Sequence, residues 1–435
     1  MKRFYGWRMV IAGSALQFLQ GGLMMQAFGA YVAVLTTERG WSKTALSGAA
    51  ALQSVESALI GPVLGWLVDR VGEHRLIQLG IVIFGLGLIA MGSVDTLAGF
   101  YGAVLLIALG SSLAGYFTIN IALIHWFERQ RARALSSAGL GLALGGLFVP
   151  VVAASITAFG WRATAIGSGV LAIAVGWPLA RVFRGRPDAL GMRIDGAPAP
   201  DVAAAAPGDG PSTGKSDATD SPAPTHTDVT PGLTARQALR TGAFWLLSAG
   251  HGIALFAVTS VNVHAITHIK EGLGYSVAQA SLVITLMTGA QIAGVLLGMA
   301  VGDRYDKRWI CAACMLGHGF GLLMLTYASG SAMLAAFALL HGTAWGLRGP
   351  LMQAIRADYF GRRSIGMIMG LSSVVIAVGQ VGGPLVAGAF ADLTGDYRFG
   401  YTLLAVLALG GSFTFLLARP PALPGATTGT VTAAR

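Results

Sequence analysis

Charge is scarce in this chain. Asp, Glu, Lys and Arg make up 11% of its 435 residues, against roughly 25% in ordinary soluble domains. Cysteine is nearly absent. Cys311 and Cys314 are the only two, which excludes a disulfide framework and a four-thiolate zinc site. Their C-x-x-C spacing falls inside an apolar run, where it marks one helix face and small apolar packing rather than a redox pair. There is no G-x-x-x-x-G-K-[ST] phosphate loop and no nucleophile beside an ordered base, so covalent catalysis and ATP-driven work by this chain alone are excluded. An ion gradient or exchange remains as an energy source. The net charge of +10 sits in short clusters between apolar runs. That is the pattern of membrane orientation, not of a nucleic-acid surface.

Apolar residues make up 54% of the chain, which also carries 62 glycines and a mean hydropathy of +0.67. Small residues at this density suit closely packed membrane helices. Twelve apolar runs reach about 20 residues, enough to span a bilayer: 8–34, 42–68, 74–94, 97–125, 134–158, 162–183, 242–268, 275–302, 308–328, 332–358, 364–390 and 398–418. They must be helices, because open strands would leave backbone groups unpaired in lipid. The first run is too long for a signal h-region and lacks a small-residue cleavage site, so it is expected to be helix 1.

Of the 29 lysines and arginines, Arg39, Lys43, Arg162, Lys270 and Arg398 fall on one side of the bilayer and Arg348 lies inside a span. All the others share the side of the N-terminus, which predicts cytoplasmic termini. Residues 184–241 contain an Ala, Pro, Gly, Asp, Ser and Thr tract from Ala197 to Pro231 that cannot bury enough surface to order. The predicted organisation is an N-terminal six-helix bundle (1–183), a largely disordered cytoplasmic linker (184–241), a C-terminal six-helix bundle (242–418) and a cytoplasmic tail (419–435).

The two halves repeat. Gly40-Trp41-Ser42 returns as Gly274-Tyr275-Ser276, Asp69-Arg70 as Asp303-Arg304, and Pro150 as Pro384, all at one and the same offset. Trp126-Phe127 with its basic cluster returns at almost that offset as Tyr359-Phe360-Gly361-Arg362-Arg363. A constant offset implies parallel duplication, and a duplicated membrane bundle is the usual build of a transporter.

The loop after the second run reads Gly65-Trp-Leu-Val-Asp69-Arg70-Val-Gly72-Glu-His-Arg75. It resembles the G-x-x-x-D-R-x-G-x-R/K signature of the major facilitator superfamily. The second copy keeps Asp303-Arg304 and Lys307-Arg308 but carries Met299 in place of the glycine. A second stretch, Trp126-Phe-Glu-Arg129-Gln-Arg131-Ala-Arg133-Ala134 and the small-residue run Ser136 to Gly146, is similar to the helix 4–5 signature of monocarboxylate porters. Tyr5-Gly6-Trp7 resembles the Gly-Trp that opens those proteins. Ser136, where that signature prefers glycine, and Tyr5, without an acidic residue upstream, fit the wider bacterial branch that includes oxalate/formate-type exchangers. The resemblance implies an all-α membrane protein of twelve helices in two six-helix bundles, working as a monomer in a bacterial inner membrane. It also implies that Asp69, Arg70, Arg75, Asp303 and Arg304, with Arg129, latch and release a cytoplasmic gate.

Single residues carry the remaining signals. Arg348 stands near the middle of the tenth run, among glycines and before Pro350. An arginine at that depth costs at least about 2.5 kcal/mol. Its planar fork suits bidentate capture of a carboxylate, and a structural ion pair with Glu56 is the other reading. Glu56 is the only acidic residue well inside a run, with Gln53 and Ser57 near it on one helix face. It reads either as a proton carrier or as a fixed counter-ion. Tyr116, Asn120, Gln17, Gln20 and Gln26 are candidate cavity donors or polar glue between helices. Asn262, His264 and His268 cluster at the outer end of the seventh run, as an outer-gate site or as helix-end packing, without a third metal ligand. Arg356 is expected at the inner gate with Asp358. The function expected is proton symport of a small organic anion, most simply a monocarboxylate. Exchange of the oxalate/formate kind, efflux of an amphipathic compound and a transporter-like sensor are the alternatives. No cofactor or metal is expected.

Overall fold

The computed structural model describes residues 4–41, 43–196 and 232–422. The tract 197–231 and the end of the tail, 423–435, lie outside the described residues. All twelve apolar runs fall on helices. Among the described residues, nine helical stretches are long and apolar enough to cross a membrane, and one of them, Arg131–Ala180, takes in two runs.

The first run folds as α1 (Gly6–Gln20), a π turn (Gly21–Met25) and α2 (Phe28–Arg39). The π turn falls where Gly21 and Gly22 pack tightly on Leu142 and Gly145 of a neighbouring helix, which leaves little room for side chains. Then come α3 (Lys43–Val71) and α4 (Glu73–Gly92). The fourth run, expected as one helix, is split into α5 (Leu97–Ala114) and α6 (Tyr116–Trp126) by extended backbone at Gly115. Side chains take up the carbonyls that the break releases. Gln20 Nε2 donates to Ala114 O at 3.0 Å, and Thr118 Oγ1 to Ser112 O at 3.3 Å. Next are α7 (Arg131–Gly145), a 3-10 turn (Gly146–Phe148) and α8 (Val149–Ala180), the last divided at Gly160 by a φ of 79°. That positive φ is where the fifth run turns into the sixth.

The second half is more regular. A short α9 (Ala235–Leu239) starts at a Thr234/Gln237 capping box and leads to α10 (Gly242–Leu273). There follow α11 (Val277–Val301), α12 (Lys307–Thr326), α13 (Ser331–Phe360), α14 (Ile365–Thr394) and α15 (Arg398–Leu417). The linker's flanks are seated against the bundle. Asp195 accepts from the backbone of Glu128 and Arg129, and Leu233 N donates to Phe360 O at 2.8 Å.

Helices pack mainly within their own half: α4 against α5 and α8, α1 against α7, α10 against α14, and α12 against α13 and α15. The halves meet where α3 faces α14, α7 faces α11, and α6 and α7 touch α13. Large apolar side chains such as Ile11, Leu59, Phe159 and Leu393 are more than 65% exposed. Lipid is the solvent that accepts such a surface.

Candidate functional site

At the end of the bundle that holds Tyr5, Val182 and Ala418, two carboxylates close the halves on each other. Asp69, in the last turn of α3, accepts from the N–H groups of Gly366 (3.2 Å) and Met367 (3.0 Å) at the start of α14. Asp303, just past α11, accepts from Ala132 (2.7 Å) and Arg133 (2.9 Å) at the start of α7. The second set of contacts repeats the first at the offset of the duplication. Each puts an anion on the unsatisfied N–H groups and positive dipole end of a helix in the other half. Burial pushes the Asp303 carboxyl up from its ordinary range, and the two amide donors offset only part of that rise.

Glycine makes the approach possible. A Cβ on Gly65 would stand 2.3 Å from Gly366 O, and one on Gly370 2.3 Å from Gly61 O. On the other seam Met299 replaces the expected glycine, but Gly298 and Gly302 supply the close faces toward Ser136 and Ala132. The register of small residues has slipped by one.

The other predicted gate residues are spread around this end. Asp358 bonds Arg131 of the opposite half and Lys307 at 2.9 Å, and Arg362 reaches Glu128 at 3.6 Å. Arg70 lies over the Trp66 ring at 5.2 Å. Arg75, Arg129 and Arg304 are exposed. Arg356 is not paired with Asp358. Its Nη1 donates to Met352 O of its own helix at 2.9 Å and its Nη2 meets His251 Nδ1 at 3.3 Å, which draws it inward from the gate.

Of the cavities bordered by both halves, two adjoin each other inside the bundle. The larger, about 400 Å³, is bordered by Gln17, Gln20, Gln53, Ser112 and Tyr116 and by Ser373 and Gln380 of the second half. The smaller, about 220 Å³, is bordered by Arg348, His251, Gln291, Trp345 and Pro350, with Tyr116 and Gly139 opposite. Tyr116 and Leu142 border both. Tyr116 reaches this place because α5 ends at Ala114 and α6 starts anew at Tyr116. The repeat-equivalent positions of Gly115 and Tyr116 are Gly349 and Pro350, so the break in one half faces the arginine turn of the other.

Arg348 is 1% exposed. Among the described residues its guanidinium forms no ion pair with a carboxylate. Its Nε points at His318 Nε2 at 3.5 Å, and Nη1 has no hydrogen-bond partner. Glu56 is elsewhere. It is half-buried and accepts from Ser112 Oγ at 3.3 Å on each oxygen, and Ser112 in turn borders the larger cavity. Asn120, one turn beyond Tyr116, is fully buried. Gln17 is 2% exposed, and both ends of its amide lack a partner.

Asn262 is exposed. His264 bonds Pro384 O at 3.0 Å and Tyr397 Oη at 3.3 Å, and His268 bonds Leu325 O at 3.0 Å. These histidines tie α10 to α14, to the Tyr397 turn and to α12. None of Asn262, His264 and His268 borders the two central cavities. Among the described residues no group of three or more His, Cys, Asp or Glu could hold a metal ion. Sequence reading missed the importance of His251, His318 and His341. Their signal was available, since each is a histidine in the middle of an apolar run.

Two pseudo-symmetric helical bundles that enclose cavities between them and are latched at one end define a membrane transporter. A model of the Major Facilitator Superfamily matches residues 13–265 and again 247–433, and the chain belongs to that superfamily. It is therefore an integral membrane transporter and not an enzyme. The chain is 24% identical over 387 residues to the MFS transporter asaE of Aspergillus flavus, covering 87% of this chain and 78% of that one. It is 25% identical to Monocarboxylate transporter 11 of Mus musculus, over 97% of this chain and 88% of that one. Among solved structures, the human organic anion transporter MFSD10 superposes with a TM-score of 0.69 at 16% identity, over 94% of this chain and 99% of that one.

Proposed function

We propose that this protein carries a small organic anion, most simply a monocarboxylate, together with a proton, across a bacterial inner membrane. With both termini cytoplasmic, the latched end faces the cytoplasm. The observation that carries the reading is Arg348. It is a fully buried cation between the halves with one bare nitrogen on its fork, beside a cavity of small-molecule size. A desolvated guanidinium without a carboxylate partner is a strong and geometrically selective anion receptor. The names of the monocarboxylate transporter and organic anion transporter relatives agree with that chemistry. Tyr116 supplies a hydroxyl between the two cavities, and Asn120, one turn on, is buried with both ends of its amide unpartnered among the described residues. Asn262 and His264 are left to the outer end of the path.

The gate is built from Asp69 and Asp303 with Arg70, Arg75, Arg129 and Arg304 about them, and from Asp358 with its two cations. His251 borders the smaller cavity, and Arg356, bonded to it, is buried between site and gate. A rocking motion that breaks both carboxylate latches exposes the cavity to the cytoplasm. Asp69→Asn keeps one acceptor but loses the charge, which removes about 1–3 kcal/mol from the closed state. Transport by this variant should slow while equilibrium binding of the anion stays near that of the parent. Unchanged turnover would take Asp69 out of the gate.

Glu56 we assign to proton coupling, in contact with the larger cavity through Ser112. Glu56→Gln mimics the protonated carboxyl. It should retain counterflow and lose accumulation driven by a proton gradient, and normal accumulation would make Glu56 a structural residue. The substrate class is tested by counterflow in proteoliposomes with formate, acetate, L-lactate, pyruvate, benzoate and oxalate. Exchange of at least one is expected, and failure of all six would overturn the anion reading. Accumulation that depends on an internal counter-anion would favour oxalate/formate-type exchange instead.

A further inference from the structure

Behind Arg348 lies a chain of two histidines. His318 on α12 and His341 on α13 are both 0% exposed, and their rings meet edge to face at a centroid distance of 4.5 Å. His318 uses Nε2 toward Arg348 Nε at 3.5 Å and Nδ1 toward His341 Nδ1 at 3.3 Å. The far end of the chain, His341 Nε2, has no partner among the described residues.

The directions of these bonds fix the protons. Arginine Nε always carries a hydrogen, so His318 Nε2 must accept. Neutral His318 then holds its proton on Nδ1 and donates it to His341 Nδ1. His341 in turn holds its proton on Nε2, the atom left bare. A second proton on His318 would set an N–H against the N–H of Arg348, so the resting pair is neutral and Arg348 keeps it so.

Among the described residues no nearby carboxylate supplies an alternative. Neither α12 nor α15, which packs on it, contains an Asp or Glu. The acids of α13 and α10 are Asp358 and Glu271, at the ends of their helices. The other ionisable groups near Arg348 are Arg356 and His251, Cys311 and Cys314, and Tyr116.

We propose that His318 is a proton-binding site coupled to the anion on Arg348, with His341 as the residue that positions it. A carboxylate that engages the Arg348 fork draws Nε off a hydrogen bond that is already long. His318 Nε2 is released and takes up a proton that enters from the bulk with the anion, while its Nδ1–H stays on His341. The guanidinium alone carries one positive charge. Guanidinium, carboxylate and imidazolium together carry the same net charge, so joint loading leaves the buried charge of the site unchanged. The proton alone would raise the buried charge to two, at the high cost of charge in a poorly screened interior, and the carboxylate removes that penalty. The inference rests on the anion reading above and adds to it a second proton station, distinct from Glu56.

Proton uptake by the purified, weakly buffered protein tests it. A pH indicator reports uptake when L-lactate, pyruvate, acetate, benzoate or oxalate is added, and counterflow of the same anion is measured in parallel. The parent protein should take up protons with the anion that it exchanges. His318→Gln still offers Arg348 an acceptor but cannot bind a proton, so it should keep measurable counterflow and take up fewer protons per anion, with only the share of Glu56 left. His341→Ala should weaken the uptake and His341→Asn, which keeps an acceptor for Nδ1–H, should restore it. Undiminished uptake in His318→Gln would overturn the proposal and leave the anion reading standing. Loss of counterflow together with uptake in that variant would also overturn it, because it would show a structural part. Absence of any exchange by the parent would remove the anion reading and this inference with it.

Discussion

Arg348→Lys should weaken anion binding by about tenfold to a hundredfold, or ~1.4–2.8 kcal/mol, while leaving the folded protein intact. Lysine keeps the positive charge but offers a point in place of a fork. It also lacks the Nε–H that meets His318, so the histidine chain loses its cap. The loss should therefore fall on affinity and on proton coupling together. Arg348 is 1% exposed, has a nitrogen without a partner and borders the smaller cavity, so a purely structural role predicts something different. Removing the fork would then lower thermal stability and leave affinity in the surviving protein unchanged. Binding isotherms for the anion found by counterflow, measured beside the melting temperature, separate the two outcomes.

The second large effect is expected at Gly65. A Cβ there would meet the backbone of Gly366 at 2.3 Å, and backbone cannot rotate aside as a side chain can. Gly65→Val should therefore force α3 away from α14 and pull Asp69 off the start of that helix. Overpacking of this kind costs about 1–3 kcal/mol. Because the strain exists only in the latched state, the ratio of latched to open molecules should fall by roughly fivefold to more than a hundredfold. Spin labels on Arg75→Cys and Arg363→Cys, both exposed at the latched end and in opposite halves, report that separation. The native Cys311 and Cys314 are buried and should stay unlabelled. A distance distribution unmoved by Gly65→Val would show that the glycine seam does not hold the closed state.

The duplicated sequence made the latch legible because its parts recur at a fixed offset. Asp69 and Asp303 were both visible, and the N–H donors they meet, Met367 and Arg133, are separated by that same offset. What the offset could not show was the slip from Met299 to Gly298 and Gly302. Close approach depends on helix rotation, which a repeat does not fix. The buried cation at Arg348 was visible for a simple reason: charge is rare at that depth. Its partner was not. Sequence offered Glu56 as the obvious counter-ion, since opposite charge is the first thing a pattern reveals. The fold gives Glu56 to Ser112 and sets Arg348 against a histidine. The break at Gly115 was hidden inside an unbroken apolar run, because the carbonyls it frees are satisfied by Gln20 from another helix and by Thr118 from the turn that follows. Sequence reading likewise placed His264 and His268 together, and the fold uses each as a carbonyl clasp between helices.

Anion movement powered by protons is tested most directly in proteoliposomes that contain no internal anion substrate, with an inward proton gradient as the only driving force. The carboxylate identified by counterflow should accumulate inside above its external concentration, and a protonophore should release it to equilibrium. Accumulation that appears only when a counter-anion is loaded inside, and that ignores the protonophore, would contradict proton symport.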